Sequence, residues 1–322
     1  MSCKTIGELY GVEGRKFQRQ YKHSLSDFKN WEQKPHAEDW ILHPQNISEQ
    51  LSLDEVALSD GELYTVLTSK KGKGRKGSIV AIIRGIQSET VIEHLFKINR
   101  KLRIKVTEIT LDMAGSMKLI AKKCFPNATP VIDRFHVQKL ATEALQEIRI
   151  KHRWQAIEQE NNLLTEAKQK KRKPIIKVFE NDDTRKQLLA RSRYLLYKTR
   201  EKWTLSQKQR AKILFKEYPD LEKAYNLSDG LRKIYNQNIQ KSVAMLKLVH
   251  WFREVEESGF KSFNTLTKTI MHNYNGILNY FNQRSTNASA ESFNAKIKNF
   301  RLQLRGVRDK AFFLFRLSKL FA

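Results

Sequence analysis

The order of apolar and polar positions changes its period along the chain. Between residues 52 and 132, apolar positions alternate with polar ones or form short apolar runs bounded by Gly, Asp and Ser, which predicts strands. The predicted strands cover residues 52–58, 62–68, 78–84, 106–112 and 129–132. The first three follow one another directly and predict an antiparallel meander. Helical segments at 89–98 and 115–124 separate the others, so the region predicts an α/β unit.

A helical period with few glycines takes over after residue 136 and continues to about residue 270. Further helices follow, and a Ser/Thr/Asn segment at 285–289 interrupts them before predicted helices at 290–304 and 311–321. We therefore predict an N-terminal part with a connector, a first core part, an all-helical insertion and a last core part. The N-terminal part with its connector spans residues 1–47 and the first core part 48–137. The insertion spans residues 138–270 and the last core part 271–322.

The first 22 residues predict two short helices around a glycine-containing turn. The apolar residues expected to face one another across this turn are Ile6, Tyr10, Val12, Phe17 and Tyr21. The spacing is typical of a helix-turn-helix, and an ordinary corner between two helices explains it equally well. In the first interpretation the second helix presents basic side chains to DNA, namely Arg15, Lys16 and Arg19.

Charge and composition narrow the class of partner. The 322 residues include 60 Lys and Arg against 34 Asp and Glu, a formal net charge of +26. Such a surplus favours a polyanion, either nucleic acid or, less well, an anionic membrane surface. No apolar run is long enough to cross a membrane, and two cysteines exclude a disulfide scaffold and a Cys-rich zinc ribbon. We expect a cytoplasmic protein that binds nucleic acid.

Three carboxylates fall on segments that this element order brings together. Asp54 lies in the first predicted strand, Asp112 ends the fourth, and Glu291 begins a late helix. Cleavage of a phosphodiester by two metal ions needs hard oxygen ligands that converge from separate elements. Each acid alone is explained as a strand-end or helix-cap residue, whereas all three in this order favour a metal site.

The residues around these acids resemble those of the DDE transposases of bacterial insertion sequences, within the branch called ISL-three-like. The resemblance extends over essentially the whole chain. It is carried by Asp54-Glu55, by Leu111-Asp112-Met113, by the sequence VIDRFHV at residues 131–137 and by RSTNASAESFNAKIK at residues 284–298. The last two are the specific motifs.

The resemblance implies a ribonuclease H-like mixed sheet interrupted by a large helical insertion. It implies that Asp54, Asp112 and Glu291 bind two Mg²⁺ ions, with Mn²⁺ as a substitute, for strand cleavage and strand transfer. The partners implied are the DNA ends of the element, target DNA and further copies of the chain, as a homodimer or larger assembly. Family members often begin with a zinc module and a complete helix-turn-helix, so we expect a truncated or separately encoded DNA-binding part. The implied location is the bacterial cytoplasm, at the nucleoid.

The helix that carries Glu291 also carries polar residues on the same side. Asn294 and Lys298 follow at three and seven residues, which places them in one stripe. Arg301 and Arg305 extend that side and suit phosphate binding, and a solvated helix face is the alternative. After the second catalytic Asp, Asp133 and His136 are candidates for supporting the metal site or for a structural role at a strand end.

Two further features are candidates for contacts with DNA. The segment 70–77 is rich in Lys, Arg and Gly without matching a phosphate-binding Walker motif, and it predicts a flexible DNA-contacting tip or a solvated loop. Its candidate contacts are Lys71, Lys73, Arg75 and Lys76. Trp203, among basic residues of the insertion, is a candidate to stack on an unpaired base, with burial in the core as the alternative.

Two other functions fit part of this pattern. One is a structure-selective nuclease on the same fold, which would not need so large an insertion. The other is a DNA-binding derivative with a silent site, which the three acids argue against.

Overall fold

The structure is a computed structural model that describes residues 3–59, 61–304 and 307–322, apart from the side chains of residues 59 and 289. The chain divides into two compact units. The first unit runs to Asp133 and resumes at Gln283, and the second is Arg134–Asn282. The sheet lies in the first unit. No helix among the described residues is both long and apolar enough to cross a membrane.

The described strands form one mixed sheet in the order β1-β4-β3-β2-β5-β6. The strands are β1 (Trp40–Leu42), β2 (Gln50–Ser59), β3 (Glu62–Ser69), β4 (Ile79–Arg84), β5 (Glu108–Leu111) and β6 (Thr129–Ile132). Strands β2, β3 and β4 form the antiparallel meander, and β5 and β6 add to it in parallel. The predicted meander is confirmed, β5 pairs with β2, and the fold is a ribonuclease H-like mixed sheet, as the resemblance implies.

Strand β1 is an edge strand that the sequence did not predict, since it falls within the expected connector. It pairs antiparallel with β4 through only three residues. A segment that short does not show an alternating pattern, and its pairing is stabilised by burial of Ile41 against the sheet.

The first unit also contains helices. They are α1 (Cys3–Tyr10), α2 (Gly14–Gln20), α3 (Ser88–Phe96), α4 (Arg100–Arg103), α5 (Gly115–Cys124), α13 (Ala288–Gln303) and α14 (Lys310–Phe321). Of these, α3, α5, α13 and α14 pack against the sheet. Helices α3 and α5 contact each other and strands β4 and β5. Helices α13 and α14 share a buried apolar cluster with the sheet, in which Phe293 and Ile297 pack against Val56 and Leu58 of β2. This packing fixes the position of α13 over the middle of β2.

The second unit consists of helices and the segments that connect them, and its described residues include one isolated bridge, between Val178 and Thr184. Its helices are α6 (Arg134–Gln169), α7 (Arg185–Arg191), α8 (Leu205–Glu217), α9 (Pro219–Asn236), α10 (Lys241–Ser258), α11 (Lys261–His272) and α12 (Tyr274–Gln283), the last of which ends one residue into the first unit. The unit is longer at both ends than the predicted insertion. The reason is that α6 begins directly after β6 and α12 continues to Gln283.

The contact between α1 and α2 differs from the apolar contact expected from the sequence. A Cβ atom at Gly7 would lie 2.3 Å from the carbonyl oxygen of Val12 and 3.1 Å from the Cα of Gly14, so the two backbones touch directly. Gly11, at φ +64°, makes the turn. Tyr10 and Val12, expected to face the partner helix, are 77% and 43% exposed, and this part of the expectation is wrong. The choice between a helix-turn-helix and a simple corner stays open.

Candidate active site

Asp54 lies in the middle of β2, on the side that faces α13. It shares this side with Val56 and Leu58, because alternate residues of a strand point the same way. One carboxylate oxygen, Oδ2, accepts a hydrogen bond of 2.7 Å from Nδ2 of Asn294 in α13, and Oδ1 accepts one of 2.8 Å from the backbone N–H of Glu55. The carboxylate is therefore held in one orientation by the strand and by the helix.

The register of β2 and β5, continued beyond the paired residues, leads to Asp54 and Asp112. Strands β2 and β5 are parallel, with Ser52 opposite Thr110, and the same register continued by two residues places Asp54 opposite Asp112. Asp112 follows the last residue of β5, and its Oδ1 accepts a hydrogen bond of 2.8 Å from the backbone N–H of Ala114. That bond fixes the turn into α5, so the carboxylate stays at the end of the strand.

Asp133 continues the same row on the next strand. Strands β5 and β6 pair Leu111 with Ile132, so the following residues, Asp112 and Asp133, are aligned as well. The backbone N–H of Asp133 donates to the carbonyl of Leu111 at 3.1 Å. The Asp133 side chain is 1% exposed, and its Oδ2 has no hydrogen-bond partner among the described residues. A buried carboxylate oxygen of this kind needs a donor or a cation.

Glu291 lies in the first turn of α13, three residues before Asn294 and therefore on the same side of the helix. Its backbone N–H donates to the carbonyl of Asn287 at 2.8 Å, and its side chain is exposed. In the part of the chain that the structure describes, no three His, Cys, Asp or Glu side chains are grouped closely enough to hold a metal ion. The convergence of Glu291 with the two aspartates remains a prediction.

Glu55 is an acid of this cluster that sequence reasoning did not select, although it adjoins Asp54. Partial burial raises the pKa of its carboxyl group above the ordinary value, and the negative charges of Asp112 and then Asp54 raise it further. The three acids therefore concentrate negative potential between the middle of β2 and the end of β5. Hard carboxylate oxygens in such a potential fit Mg²⁺ or Mn²⁺.

His136, the other candidate near the second aspartate, lies in α6 of the helical unit rather than in the sheet unit. Its ring is partly buried and makes an edge contact with Phe135, with 5.8 Å between the ring centroids. The structure thus assigns Asp133 and His136 to different units.

The basic loop at residues 70–77 lies beside α13. Nζ of Lys296 in α13 donates a hydrogen bond of 2.6 Å to the carbonyl of Gly74. At the start of the loop, Lys70 pairs at 3.0 Å with Glu108 of β5, and both side chains are largely buried. The sequence missed these two lysines because their anchoring role depends on distant partners.

The two sides of the same loop pass close to each other at Gly72, and the expectation of a flexible DNA-contacting tip stays a prediction. A Cβ atom at Gly72 would lie 2.7 Å from the backbone of Ser78, so the two sides of the loop are in contact. All four candidate side chains are exposed, namely Lys71, Lys73, Arg75 and Lys76. The loop therefore presents four cations to solvent.

The remaining candidate contacts with DNA differ in how exposed their side chains are. Those on α2 are exposed, namely Arg15, Lys16 and Arg19. On α13, Lys298 is exposed and Arg301 is partly buried, while Arg305 lies outside the described residues.

Trp203 is a core residue, so its proposed stacking on an unpaired base is wrong. Its side chain is 8% exposed, its Nε1–H donates at 2.8 Å to the carbonyl of Leu195, and its ring packs against Phe215 and Tyr225. Trp154 of α6, which is 62% exposed, is the accessible indole of this unit. A sequence pattern does not distinguish the two, because both rings lie among basic residues.

Comparison with known proteins points in the same direction as the geometry. A family model for DDE transposases of the ISL3 type, described as "Transposase", matches residues 51–317. The transposase for insertion sequence element IS1001 of Bordetella parapertussis is 24% identical to this chain over 275 residues, which are 85% of this chain and 61% of that protein. The chain thus spans about three fifths of the length of this relative.

Proposed function

The chain belongs to the ISL3-type family of DDE transposases, and on that premise we propose that it cuts DNA at the ends of an insertion sequence and joins them to target DNA. The observation that carries the proposal is the arrangement of the acids. The register of β2 and β5, continued beyond the paired residues, leads to Asp54 and Asp112, and Asn294 ties Asp54 to the helix that carries Glu291. Strand β2, from the N-terminal part of the sheet unit, and helix α13, from its C-terminal part, therefore meet at Asp54.

In this proposal three acids bind the metal ions and two further residues assist them. Asp54, Asp112 and Glu291 would hold two Mg²⁺ ions, or Mn²⁺ in their place, which supply Lewis acidity at the attacking and leaving oxygens. Asn294 orients Asp54 through its hydrogen bond of 2.7 Å. Asp133, aligned with Asp112, has a free carboxylate oxygen that would accept a hydrogen bond from a ligand of the site.

The reaction consists of two displacements at phosphorus. Water first attacks a phosphodiester at the element end, which breaks the P–O3′ bond and leaves a 3′-hydroxyl and a 5′-phosphate. That hydroxyl then attacks a phosphodiester of the target, forming one P–O bond while another breaks. The second step needs no ATP because it conserves the number of phosphodiester bonds.

We further propose that backbone phosphates are bound by the basic surface next to the acids. Lys296 of α13 donates a hydrogen bond to the carbonyl of Gly74 in the loop 70–77, so the four exposed cations belong to a loop that contacts the helix carrying Glu291. Phosphate contacts position DNA without reading its sequence. Because an element has two ends, we propose that two or more copies act together on the DNA.

The test is a DNA assay with the full chain, Mg²⁺ and a duplex that carries the inverted repeats flanking the gene. The proposal expects nicking at the repeat boundary and covalent joining of the new 3′ end to a target plasmid. Cleavage of branched DNA without joining would indicate a nuclease, and binding without cleavage would indicate a silent derivative. Either result would overturn the proposal.

A further inference from the structure

A groove runs along helix α8 in the helical unit, and Trp203 is one of the residues that line it. Its volume is about 490 Å³. One wall carries three lysines at intervals of four residues, Lys208, Lys212 and Lys216, which occupy one stripe of the helix. Three apolar residues, Trp203, Ala211 and Phe215, also line the groove and are called its floor here, and Arg200 and Glu222 complete the lining.

The lysine stripe carries charge that the protein does not neutralise. All three side chains are exposed, and no carboxylate among the described residues is within ion-pair distance of them. Arg200, by contrast, pairs with Glu222 at 2.9 Å. Like charges four residues apart destabilise a helix, and Lys208 near the N-terminus of α8 also opposes the helix dipole. The stripe does not stabilise the free protein, whereas a bound polyanion would pair with its three charges.

The shape of the groove favours contact at the rim over stacking on the floor. Trp203 and Phe215 of the floor are 8% and 7% exposed. The guanidinium of Arg200 lies 5.8 Å from the Trp203 ring and 5.5 Å from the Phe215 ring, so it covers both. Successive lysines are separated by about 6 Å along the helix. Three ammonium groups at that spacing can each meet a different phosphate of a DNA strand.

We propose that this α8 groove binds the phosphodiester backbone of duplex DNA through Lys208, Lys212 and Lys216. The inference rests on the proposed function, since it assigns a second DNA contact to the same protein. It concerns only the charge and spacing of one stripe in the helical unit. Free phosphate presents the same chemistry, and the experiment separates the two sources.

The test measures binding of the full chain to a labelled duplex of arbitrary sequence, about 30 base pairs long, at several salt concentrations. The groove variant carries Lys208→Gln, Lys212→Gln and Lys216→Gln. The matched control removes the same charge from exposed lysines of the same unit outside the groove, as Lys223→Gln, Lys261→Gln and Lys268→Gln. We expect the slope of log Kobs against log salt to weaken by about 2.7 in the groove variant, at about 0.9 for each phosphate that is no longer neutralised, and by less than about 1 in the control.

A second variant with Arg at all three groove positions keeps the charge and should restore binding, which separates an effect of charge from an effect of misfolding. Equal weakening in the groove variant and the control would overturn the proposal. So would competition by millimolar inorganic phosphate at constant ionic strength, which would show a site for the free anion. If wild type binds the duplex but the groove variant behaves as the control does, this inference fails and the proposed function is unaffected. Absence of DNA binding by wild type would contradict the proposed function itself.

Discussion

At the scale of single residues, the organisation of the site follows from hydrogen bonds that hold acids against their mutual repulsion. Asp54 receives donors from Glu55 and Asn294, and Asp112 receives one from Ala114. The sequence selects these acids as candidates, because an Asp inside an apolar strand is locally unfavourable and the three acids occur in this order. It did not predict the contribution of Glu55, since adjacent strand residues point to opposite faces and only the folded sheet shows which charges act on it.

Replacing Asn294 with Ala should lower cleavage by roughly 10–100-fold and raise the Mg²⁺ concentration needed for half-maximal rate. The substitution removes the donor to Oδ2 of Asp54, which frees the carboxylate to rotate. Asn299→Ala is the matched control, because Asn299 is exposed on the same helix. Unchanged rate and metal dependence in Asn294→Ala would show that the hydrogen bond does not position Asp54.

His43 should make the fold sensitive to acid. Burial lowers the pKa of its imidazole from 6.5 to about 4, and its Nε2 lies 3.1 Å from Oγ of Ser318. The unfolded chain binds the proton below pH 6.5 and the folded chain only near pH 4, so stability falls as the pH decreases across that interval, by up to about 3 kcal/mol. Urea unfolding at about pH 7 and about pH 4.5 should show a smaller pH effect in His43→Gln than in wild type. An identical pH effect in both proteins would contradict this assignment.

At the scale of elements, the alternating pattern located the strands of the meander and the two strands that follow it. It failed where three-residue β1 was too short to show a period, and where glycines rather than apolar side chains joined α1 to α2. It also failed to separate a buried tryptophan from an exposed one, since burial of Trp203 depends on partners far along the chain. Local pattern predicts elements, and the contacts between distant elements decide which side chains are accessible.

The basic loop offers a test of element geometry at constant charge. In Gly72→Ala the new Cβ would meet the backbone of Ser78 at 2.7 Å, so the loop must shift. We expect duplex affinity to fall several-fold, because the four cations move away from their places beside α13. Gly115→Ala, where a Cβ meets no atom within 4 Å, is the control and should bind as wild type does. Wild-type affinity in Gly72→Ala would show that loop conformation is unimportant.

At the scale of the whole molecule, the formal net charge of +26 favours the proposed binding of DNA through its backbone phosphates. The exposed cations belong to several elements, including α2, the loop 70–77 and α8. Dispersed phosphate contacts release counterions in proportion to their number, so affinity depends on salt more than on sequence.

We therefore expect log Kobs to fall with log salt at a slope of about −4 or steeper for duplexes of any sequence. Fluorescence anisotropy between about 50 and 200 mM salt, as a roughly physiological range, measures this slope. A nearly flat dependence would contradict binding through backbone phosphates.

The most direct test of the central claim is the rate of strand cleavage in single variants of the three acids. Asp54→Ala, Asp112→Ala and Glu291→Ala should each lower cleavage and joining by orders of magnitude in Mg²⁺ while duplex affinity stays at the wild-type level or rises slightly. Glu291→Asp should fail nearly as completely because its carboxylate is one methylene shorter. Asp133→Asn should lose activity only in part, and Glu89→Ala, an exposed acid of α3, should cleave normally. Full cleavage by Glu291→Ala would contradict the account.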